Sequence, residues 1–226
     1  MRVLTAVSAR RSRKLIAAAA EGPHYFGVMV FAALFTGMRL GELQGLRWAD
    51  LHIHGHNKAK PYLVVRGQLL RQKDEDTGTT VFDQRGLKSK YDHVTRTLRI
   101  PRQLADRFRK LRAASPCSSN HDFVFVSAAG SPPSDSTVRS NFYRARKTAC
   151  LNPTMRFHDM RDTHASMLIR DGRPITEIAV RLGHTKKDGS PNPATTLAHY
   201  AHLFDAAASA DETCDRLEAR AASLPS

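Results

Sequence analysis

The chain has 226 residues, of which 41% are hydrophobic and 25% are charged. This balance is typical of a folded globular protein and excludes a wholly disordered chain. Its 35 Lys and Arg residues against 21 Asp and Glu residues give a formal net charge of +14. A polyanion such as nucleic acid is therefore the expected partner, although charge alone predicts only non-specific binding.

The longest apolar run, residues 26–35, is too short to span a bilayer. The first residues lack the apolar core of a secretory signal. Three widely separated cysteines, Cys117, Cys150 and Cys214, fit neither a paired disulfide framework nor a CxxC metal site. We therefore expect a cytoplasmic protein with no membrane partner.

In chain order, an arginine-rich segment with four alanines predicts a helix over 8–20, which Gly22-Pro23 ends. A nearly all-apolar helix over 25–36 follows, and Gly37 interrupts it. Alternating β-branched segments then predict a small antiparallel sheet with strands at 62–71, 81–87 and 94–100. The later predicted elements are a strand at 123–126 and helices at 101–111, 135–150, 157–170, 174–182, 194–203 and 206–222. The sequence thus predicts an α+β, mostly helical fold with a small three-stranded sheet near its front.

Three polar motifs stand out against this pattern: TGMRLGEL at 36–43, HDMR at 158–161, and RLGH followed by TLAHY within 181–200. Guanidinium groups bind phosphate oxygens through paired hydrogen bonds, imidazoles transfer protons, and a phenol can become a covalent nucleophile. Their order along one basic chain predicts attack on a phosphodiester without a metal ion.

The chain resembles the catalytic domain of the tyrosine recombinases, the phage integrase family, over residues 23–205. Four segments carry the resemblance: TGMRLGELQGLRWADL (36–51), GLKSKYDHVTRTLRIP (86–101), FHDMRDTHASMLI (157–169), and RLGH followed by TTLAHYAHL (181–203). It implies the tyrosine-recombinase catalytic fold, flanked by an N-terminal helical extension over 1–22 and a C-terminal helix or tail over 206–226. It also implies site-specific recombination through a 3′-phosphotyrosyl intermediate, with no cofactor, ATP or metal.

The resemblance also assigns catalytic roles. Arg39 and Arg161 would clamp the scissile phosphate, and His184 would donate to a non-bridging oxygen. Tyr200 would attack phosphorus, and His158 would be the base that helps to deprotonate it. Each residue type has an ordinary structural alternative, such as a surface ion pair for arginine or a helix-end position for tyrosine.

Glu42 lies three residues after Arg39, so it could orient that guanidinium from behind or form a simple surface pair with it. Lys88 is implied as the general acid that protonates the leaving 5′-oxygen. Lys90 could be the general acid instead, because residues two positions apart on a regular strand lie on the same face. Lys90 and Arg96 are otherwise expected to contact DNA.

Two departures from the family pattern are visible. Many members have a second histidine directly after the arginine of the HDMR motif, where this chain has Asp162; because this position lies outside the catalytic set, we expect little effect. The interval from His184 to Tyr200 is 16 residues and exceeds the usual one by several. The polar loop over 186–193 should cost little stability, but it could loosen the site or let Tyr200 reach a neighbouring protomer.

The alternating histidines His52, His54 and His56 would share one face only if extended, and no cysteine or strong carboxylate partner is near. We therefore expect an exposed turn and no metal site.

Family recombinases usually carry an N-terminal helical domain that closes around DNA, whereas this chain starts almost at its catalytic domain. The leading hypothesis is a bacterial or phage-derived, nucleoid-associated recombinase that acts as a homo-tetramer on double-stranded DNA sites. A type IB topoisomerase-like enzyme and a catalytically weak or inactive DNA-binding remnant of a mobile element stay open. The C-terminal segment could pack in cis, but we hypothesise docking in trans through Leu203, Phe204, Leu217 and Leu224.

Overall fold

The computed structural model describes residues 8–53, 59–74, 80–86, 95–186 and 188–207. Eight α-helices lie within these ranges: α1 (Ala9–Ala20), α2 (Phe26–Thr36), α3 (Leu40–Gln44), α4 (Arg102–Ala114), α5 (Asp135–Thr148), α6 (Asp159–Arg170), α7 (Ile175–Leu182) and α8 (Pro193–Ala207). The strands are β1 (Leu51–His52), β2 (Tyr62–Val65), β3 (Gly67–Lys73), β4 (Thr80–Gly86) and β5 (Arg96–Arg99). The expected mostly helical α+β fold is confirmed. None of the helices in the described ranges is long and apolar enough to cross a membrane.

Helix α2 forms the centre of the main core. Its sequence is almost entirely apolar, so it can be buried on several sides, and it packs against α1, α4 and α6. Phe108 from α4 and Phe142 from α5 are fully buried in the same cluster. Burying each large side chain of this kind contributes about 1.5–3 kcal/mol. This core holds the first arginine motif, which follows α2 directly.

Helix α1 corresponds to the expected N-terminal extension. Its Leu15 and Ala19 are completely buried, and the helix packs against α2 and α5. Residues 9–20 therefore share the core of the segment that follows them. The division of the chain at residues 22 and 205 stays a prediction.

The strands form two sheets. β1, β2 and β5 make a three-stranded antiparallel sheet in which Leu63 pairs with Leu98, while β3 and β4 form a separate hairpin. The predicted strand over 62–71 is therefore interrupted at Arg66, whose Nε donates to Asp50 Oδ1 at 2.8 Å.

The physical reason for the separation lies at Gly45. A Cβ atom there would come within 2.6 Å of the Leu69 backbone nitrogen, so the end of α3 lies directly against β3. The hairpin packs over α3, while β2 remains with β1 and β5. The predicted strand over 81–87 consequently pairs with the second half of the segment that we expected to be continuous.

The apolar run over 123–126 was expected to be a strand, and this prediction was wrong. Phe123 makes a single bridge to Arg47, and Val124 donates its backbone N–H to Leu46 O at 2.8 Å. Val124, Phe125 and Val126 are nevertheless buried. The run was apolar because it lies in the interior, not because it forms a ladder.

A second, smaller apolar cluster joins α6, α7 and α8. It consists of Ala165, Ile169, Ile178, Leu182 and Tyr200, with Leu168 and Leu203 packed against it. Helix α8 continues from the predicted 194–203 segment to Ala207. Residues 208–226, including Leu217 and Leu224, lie outside the described residues, so docking of the C-terminal segment in trans stays a hypothesis.

Candidate active site

The turn between α2 and α3 presents Arg39. Gly37 ends α2 with a φ of 66°, and a Cβ atom on it would lie 2.7 Å from the ring of His164. Both the left-handed backbone and this close approach require glycine. Arg39 is then the N-cap residue of α3, with its side chain 42% exposed, so its guanidinium is open to a ligand.

Glu42 lies behind Arg39, which is one of the two arrangements that the sequence left open. Its side chain is buried and accepts the Arg39 backbone N–H at 2.8 Å and Arg39 Nη1 at 3.0 Å. Burial alone would raise the pKa of Glu42, but Arg96 and then Arg39 offset this, and the pKa lies below its usual value. The carboxylate therefore stays charged and fixes the start of α3.

Arg96 is enclosed by protein groups, unlike the exposed position that a DNA contact implies, and its contact with DNA stays a prediction. Its side chain is 7% exposed, and Nη1 and Nη2 donate to Glu42 at 3.1 and 2.6 Å. Nε donates to Arg181 O at 3.2 Å. The burial pattern of β5 explains the difference, because Arg96 faces inward and Arg99 faces outward.

Arg161 connects the three motifs. It is 4% exposed, and Nη1 donates to Gly37 O at 2.6 Å while Nη2 donates to Leu182 O. Nη2 also lies 3.1 Å from His184 Nε2. Burial, followed by the neighbouring Arg39, lowers the pKa of Arg161 to about 10. A guanidinium that donates to two carbonyl groups and one imidazole still has two of its five N–H groups left for an anion.

His184 follows α7, whose C-cap Gly183 has a left-handed φ of 65°. Burial, and next the charge of Arg161, lowers the pKa of His184 to about 3, so the ring is neutral near pH 7. Since a guanidinium can only donate, Nε2 accepts from Arg161. Nδ1 therefore carries the proton and donates to Thr196 Oγ1 at 2.9 Å. Donation to a phosphate oxygen would require the proton to be on Nε2.

Tyr200 is a residue of α8 and lies inside the small apolar cluster that joins α6, α7 and α8. It is 3% exposed, and its hydroxyl donates to Asp162 Oδ1 at 2.8 Å. Burial, and then Asp162, raises the pKa of Tyr200 above its usual value, while Arg161 and Arg39 act in the opposite direction. Asp162, which the sequence placed outside the catalytic set, is thus the hydrogen-bond partner of the expected nucleophile.

His158 immediately precedes α6 and is exposed. Desolvation of its ring lowers the pKa of His158, and Asp162 opposes that effect. The Tyr200 hydroxyl is bonded to Asp162. The role of His158 as a base therefore stays a prediction.

The long connection from His184 to α8 folds back on itself. Asn192 donates its backbone N–H to His184 O at 2.7 Å, and Lys186 donates to Ser190 O at 2.8 Å. Because these two hydrogen bonds bring the ends of the connection together, the start of α8 remains beside His184. The additional length therefore does not remove Tyr200 from the arginines of its own chain.

Some predicted residues lie outside the described residues: Lys88, Lys90, His54 and His56. The remaining histidine of the alternating run, His52, stacks on Tyr62 with ring centroids 4.3 Å apart. Across the described ranges, no group of three or more His, Cys, Asp or Glu side chains could hold a metal ion.

Sequence reasoning missed Asp162 and Thr196 as parts of this site. Thr196 precedes Tyr200 by four residues, so helical periodicity alone could have placed both on one face of α8. No local signal identifies Asp162 as the partner of Tyr200, because the contact joins α6 to α8 across 38 residues. Thr196 is fully buried, which fits its role as the acceptor for His184.

The site is electropositive. Arg39, Arg96 and Arg161 surround the single buried carboxylate of Glu42. With Asp162 counted as well, two carboxylates against three guanidinium groups leave an excess positive charge, and Arg39 is the most exposed of the three arginines. A phosphodiester, which carries one negative charge and two non-bridging oxygens, fits this charge and these donors.

Comparisons with known proteins show what the chain is similar to. A model described as the phage integrase family matches residues 7–207. The chain is 25% identical over 201 residues to an integrase of Staphylococcus phage L54a, covering 86% of this chain and 50% of that one. It is 26% identical over 200 residues to a XerC-like tyrosine recombinase of Caldanaerobacter subterraneus subsp. tengcongensis, covering 80% and 46%.

The fold is similar to that of the Tn1549 transposon integrase in complex with transposon right end DNA. The TM-score is 0.71 at 20% identity, covering 98% of this chain and 67% of that chain. The chain spans about half the length of each of these two relatives.

Proposed function

The chain belongs to the phage integrase family, and we propose that it is a site-specific DNA recombinase that cleaves and rejoins DNA through a 3′-phosphotyrosyl intermediate at Tyr200. Residues 23–205 would form the catalytic domain. The substrate would be double-stranded DNA, in keeping with the net charge of +14.

The observation that carries the proposal is the set of contacts around Arg161. This side chain reaches the carbonyl groups of Gly37 and Leu182 and the ring of His184. It therefore joins sequence motifs that are 124 and 21 residues away. A structural arginine needs only backbone acceptors, whereas this one also lies beside Arg39, whose repulsion exceeds the attraction of Glu42 and would be relieved by a bound anion.

In the proposed reaction, the Tyr200 oxygen forms a bond to phosphorus as the bond from phosphorus to the 5′-oxygen breaks. The phenolic proton leaves to a base, for which His158 is the candidate. The departing 5′-oxygen takes a proton from Lys88, or from Lys90, and becomes a hydroxyl group. Rejoining reverses these steps: a 5′-hydroxyl attacks phosphorus and the tyrosine oxygen leaves. Energy of the original diester is retained in the covalent link, so no ATP is consumed.

Arg39 and Arg161 would bind the two non-bridging oxygens and stabilise the charge that develops on them at the transition state. Glu42 would keep Arg39 in place through the bonds described above. His184 would donate to an oxygen once its proton is on Nε2. The proton shift becomes possible when Arg161 turns from the imidazole towards the phosphate.

Trapping on a nicked DNA suicide substrate tests the proposal, with adducts resolved on a denaturing gel. Wild-type protein should give a band that resists SDS, and Tyr200→Phe should abolish it. Tyr143→Phe is the matched control, because Tyr143 is 42% exposed on α5 and lies outside the site. Candidate DNA sequences that flank the mobile element should be tested beside generic DNA duplexes. DNA binding without an adduct on any substrate would identify a DNA-binding remnant instead.

We propose further that four protomers bring two double-stranded DNA sites together, in association with the bacterial nucleoid. The Tn1549 transposon integrase, which shares the fold, was solved with transposon DNA. A two-site recombination assay separates this activity from that of a type IB topoisomerase, which would relax one supercoiled plasmid without a partner site. Sedimentation with and without site DNA would report the tetramer.

A further inference from the structure

We infer that Asp162 is a positioning residue that restrains the nucleophile: its carboxylate holds the Tyr200 hydroxyl in the DNA-free protein and must release it before attack. The inference deepens the proposed function and rests on it for the role of Tyr200. Asp162 occupies the position directly after Arg161, where the sequence suggested no catalytic part.

The contact itself is specific. Tyr200 donates its hydroxyl to Asp162 Oδ1 at 2.8 Å across the packing of α6 against α8, with the tyrosine 3% exposed. A phenol that is both enclosed and bonded to a carboxylate cannot present its oxygen to a phosphorus atom that approaches from solvent. The hydroxyl group is therefore withheld from DNA in this conformation.

The negative charge of Asp162 indicates whether this residue restrains Tyr200 or helps to remove its proton. A carboxylate beside a phenolate repels it, so Asp162 favours the protonated tyrosine, while Arg161 and Arg39 favour the ionised one. An ordinary carboxylate is also about a millionfold weaker as a base than a phenolate, since the usual pKa values are ~3.9 and ~10. Asp162 consequently stabilises the unreactive form of Tyr200 more effectively than it could remove its proton.

The surroundings of Tyr200 allow release. Its apolar neighbours are the few side chains of the α6–α8 cluster, not the main core around α2. A segment that packs against few apolar side chains moves at a lower free-energy cost than a segment that packs in the main core.

A chain of hydrogen bonds links the phosphate-binding residues to α8. Arg161 donates to His184 Nε2, and His184 Nδ1 donates to Thr196 Oγ1, one turn before Tyr200. A phosphate that draws Arg161 away frees His184 and loosens this tie. DNA binding can thus change the position of α8 and separate Tyr200 from Asp162.

Nitration of tyrosine in the DNA-free protein, mapped by peptide mass spectrometry, tests the restraint without any assumption about activity. The variants are Asp162→Asn, which removes the charge, and Asp162→Ala, which removes the acceptor. Two internal controls exist: Tyr143 is 42% exposed and should react in every variant, and Tyr25 is 2% exposed and should stay protected if the fold is intact. Restraint predicts slow nitration of Tyr200 in the wild type and nitration faster by about tenfold in Asp162→Ala, the scale of a hydrogen bond to a charged group. Equal rates at Tyr200, with Tyr25 protected, would overturn the inference.

The second arm measures the initial rate of covalent adduct formation on the nicked substrate. Restraint predicts a higher rate for Asp162→Asn than for the wild type at equal DNA occupancy. A fall to the level of Tyr200→Phe, with unchanged DNA binding, would identify Asp162 as the proton acceptor and overturn the inference. If no protein forms an adduct while Tyr200 nitration still rises in Asp162→Ala, the proposed recombinase function fails and the restraint stands.

Discussion

Arg96 and Glu42 form an enclosed ion pair directly behind Arg39: both Nη atoms of Arg96 donate to the carboxylate, and neither side chain is more than 7% exposed. Arg96 also donates from Nε to Arg181 O, and a Cβ atom on Gly183 would lie 2.6 Å from its Nη1. One inward-facing arginine thus packs against both the segment with Arg39 and the segment with His184.

Replacing Arg96 by alanine should therefore lower the free energy of unfolding, and any effect on DNA affinity should be secondary to this loss. Removing one partner of a buried ion pair leaves an uncompensated charge, at a cost of about 3–5 kcal/mol. Urea denaturation of Arg96→Ala checks this value. Arg99→Ala is the matched control, because Arg99 lies on the same strand and faces outward. Weaker DNA binding for Arg96→Ala with unchanged unfolding would show that Arg96 is a DNA contact after all.

Gly37→Ala should be much more costly than alanine at another left-handed glycine. Gly37 and Gly172 both have a φ of 66°, but only at Gly37 would a Cβ atom meet His164, at 2.7 Å, since nothing lies within 4 Å of the Gly172 position. Backbone strain should cost both variants about 1 kcal/mol. Gly37→Ala should lose a further ~1–3 kcal/mol through overpacking. Equal midpoints in parallel denaturation curves would contradict the close approach at Gly37.

Thr196→Val should weaken catalysis while retaining the helix. It removes the acceptor for His184 Nδ1 in a fully buried place, and a buried unpaired donor costs about 1–3 kcal/mol. The His184 ring would then lose the hydroxyl that orients it in either tautomer, since a threonine hydroxyl can accept from Nδ1–H or donate to a bare Nδ1. NMR of the imidazole nitrogens reports the tautomer directly. We expect a loss in adduct formation of about tenfold or more. Thr195→Val is the control, because Thr195 bonds to Asn192 Oδ1 through its backbone nitrogen, which valine keeps. Similar losses in the two variants would attribute the effect to α8 as a whole.

Stability should fall as the pH is lowered from about 6.5 towards 3. Burial, and next a neighbouring arginine, lowers the pKa of both His164 and His184 to about 3. Between that value and the unfolded value of ~6.5, the unfolded chain binds protons that the folded chain does not bind. The free energy of unfolding therefore rises with pH across this window and levels off above it.

Denaturation at a series of pH values checks the slope, and the double variant His164→Gln, His184→Gln should show a shallower one. NMR titration should find neither ring protonated at pH 5. Protonation of His184 near pH 6.5 in the folded protein would contradict its enclosure by Arg161.

Local patterns were sufficient for most elements. Among the described residues, the predicted helices began and ended within a few residues of their expected limits, because apolar periodicity, alanine content and glycine or proline at the ends act within one segment. The predicted helix over 206–222 lies outside the described residues and stays a prediction. The arginine, histidine and tyrosine motifs were likewise visible, since each is defined by neighbouring residues. The pairing of the strands was not visible in the sequence, because the division at Arg66 depends on the close approach of Gly45 to β3.

The sequence by itself determined the family, the helical character and the residue types available for phosphate chemistry. Only the tertiary structure decided that Arg96 faces inward on Glu42, that Asp162 holds the Tyr200 hydroxyl, and that His184 carries its proton on Nδ1. The physical reason is the same in each case. Hydrogen bonds and ion pairs between segments depend on which side chains are brought within about 3 Å, and that distance is set by the packing of whole elements.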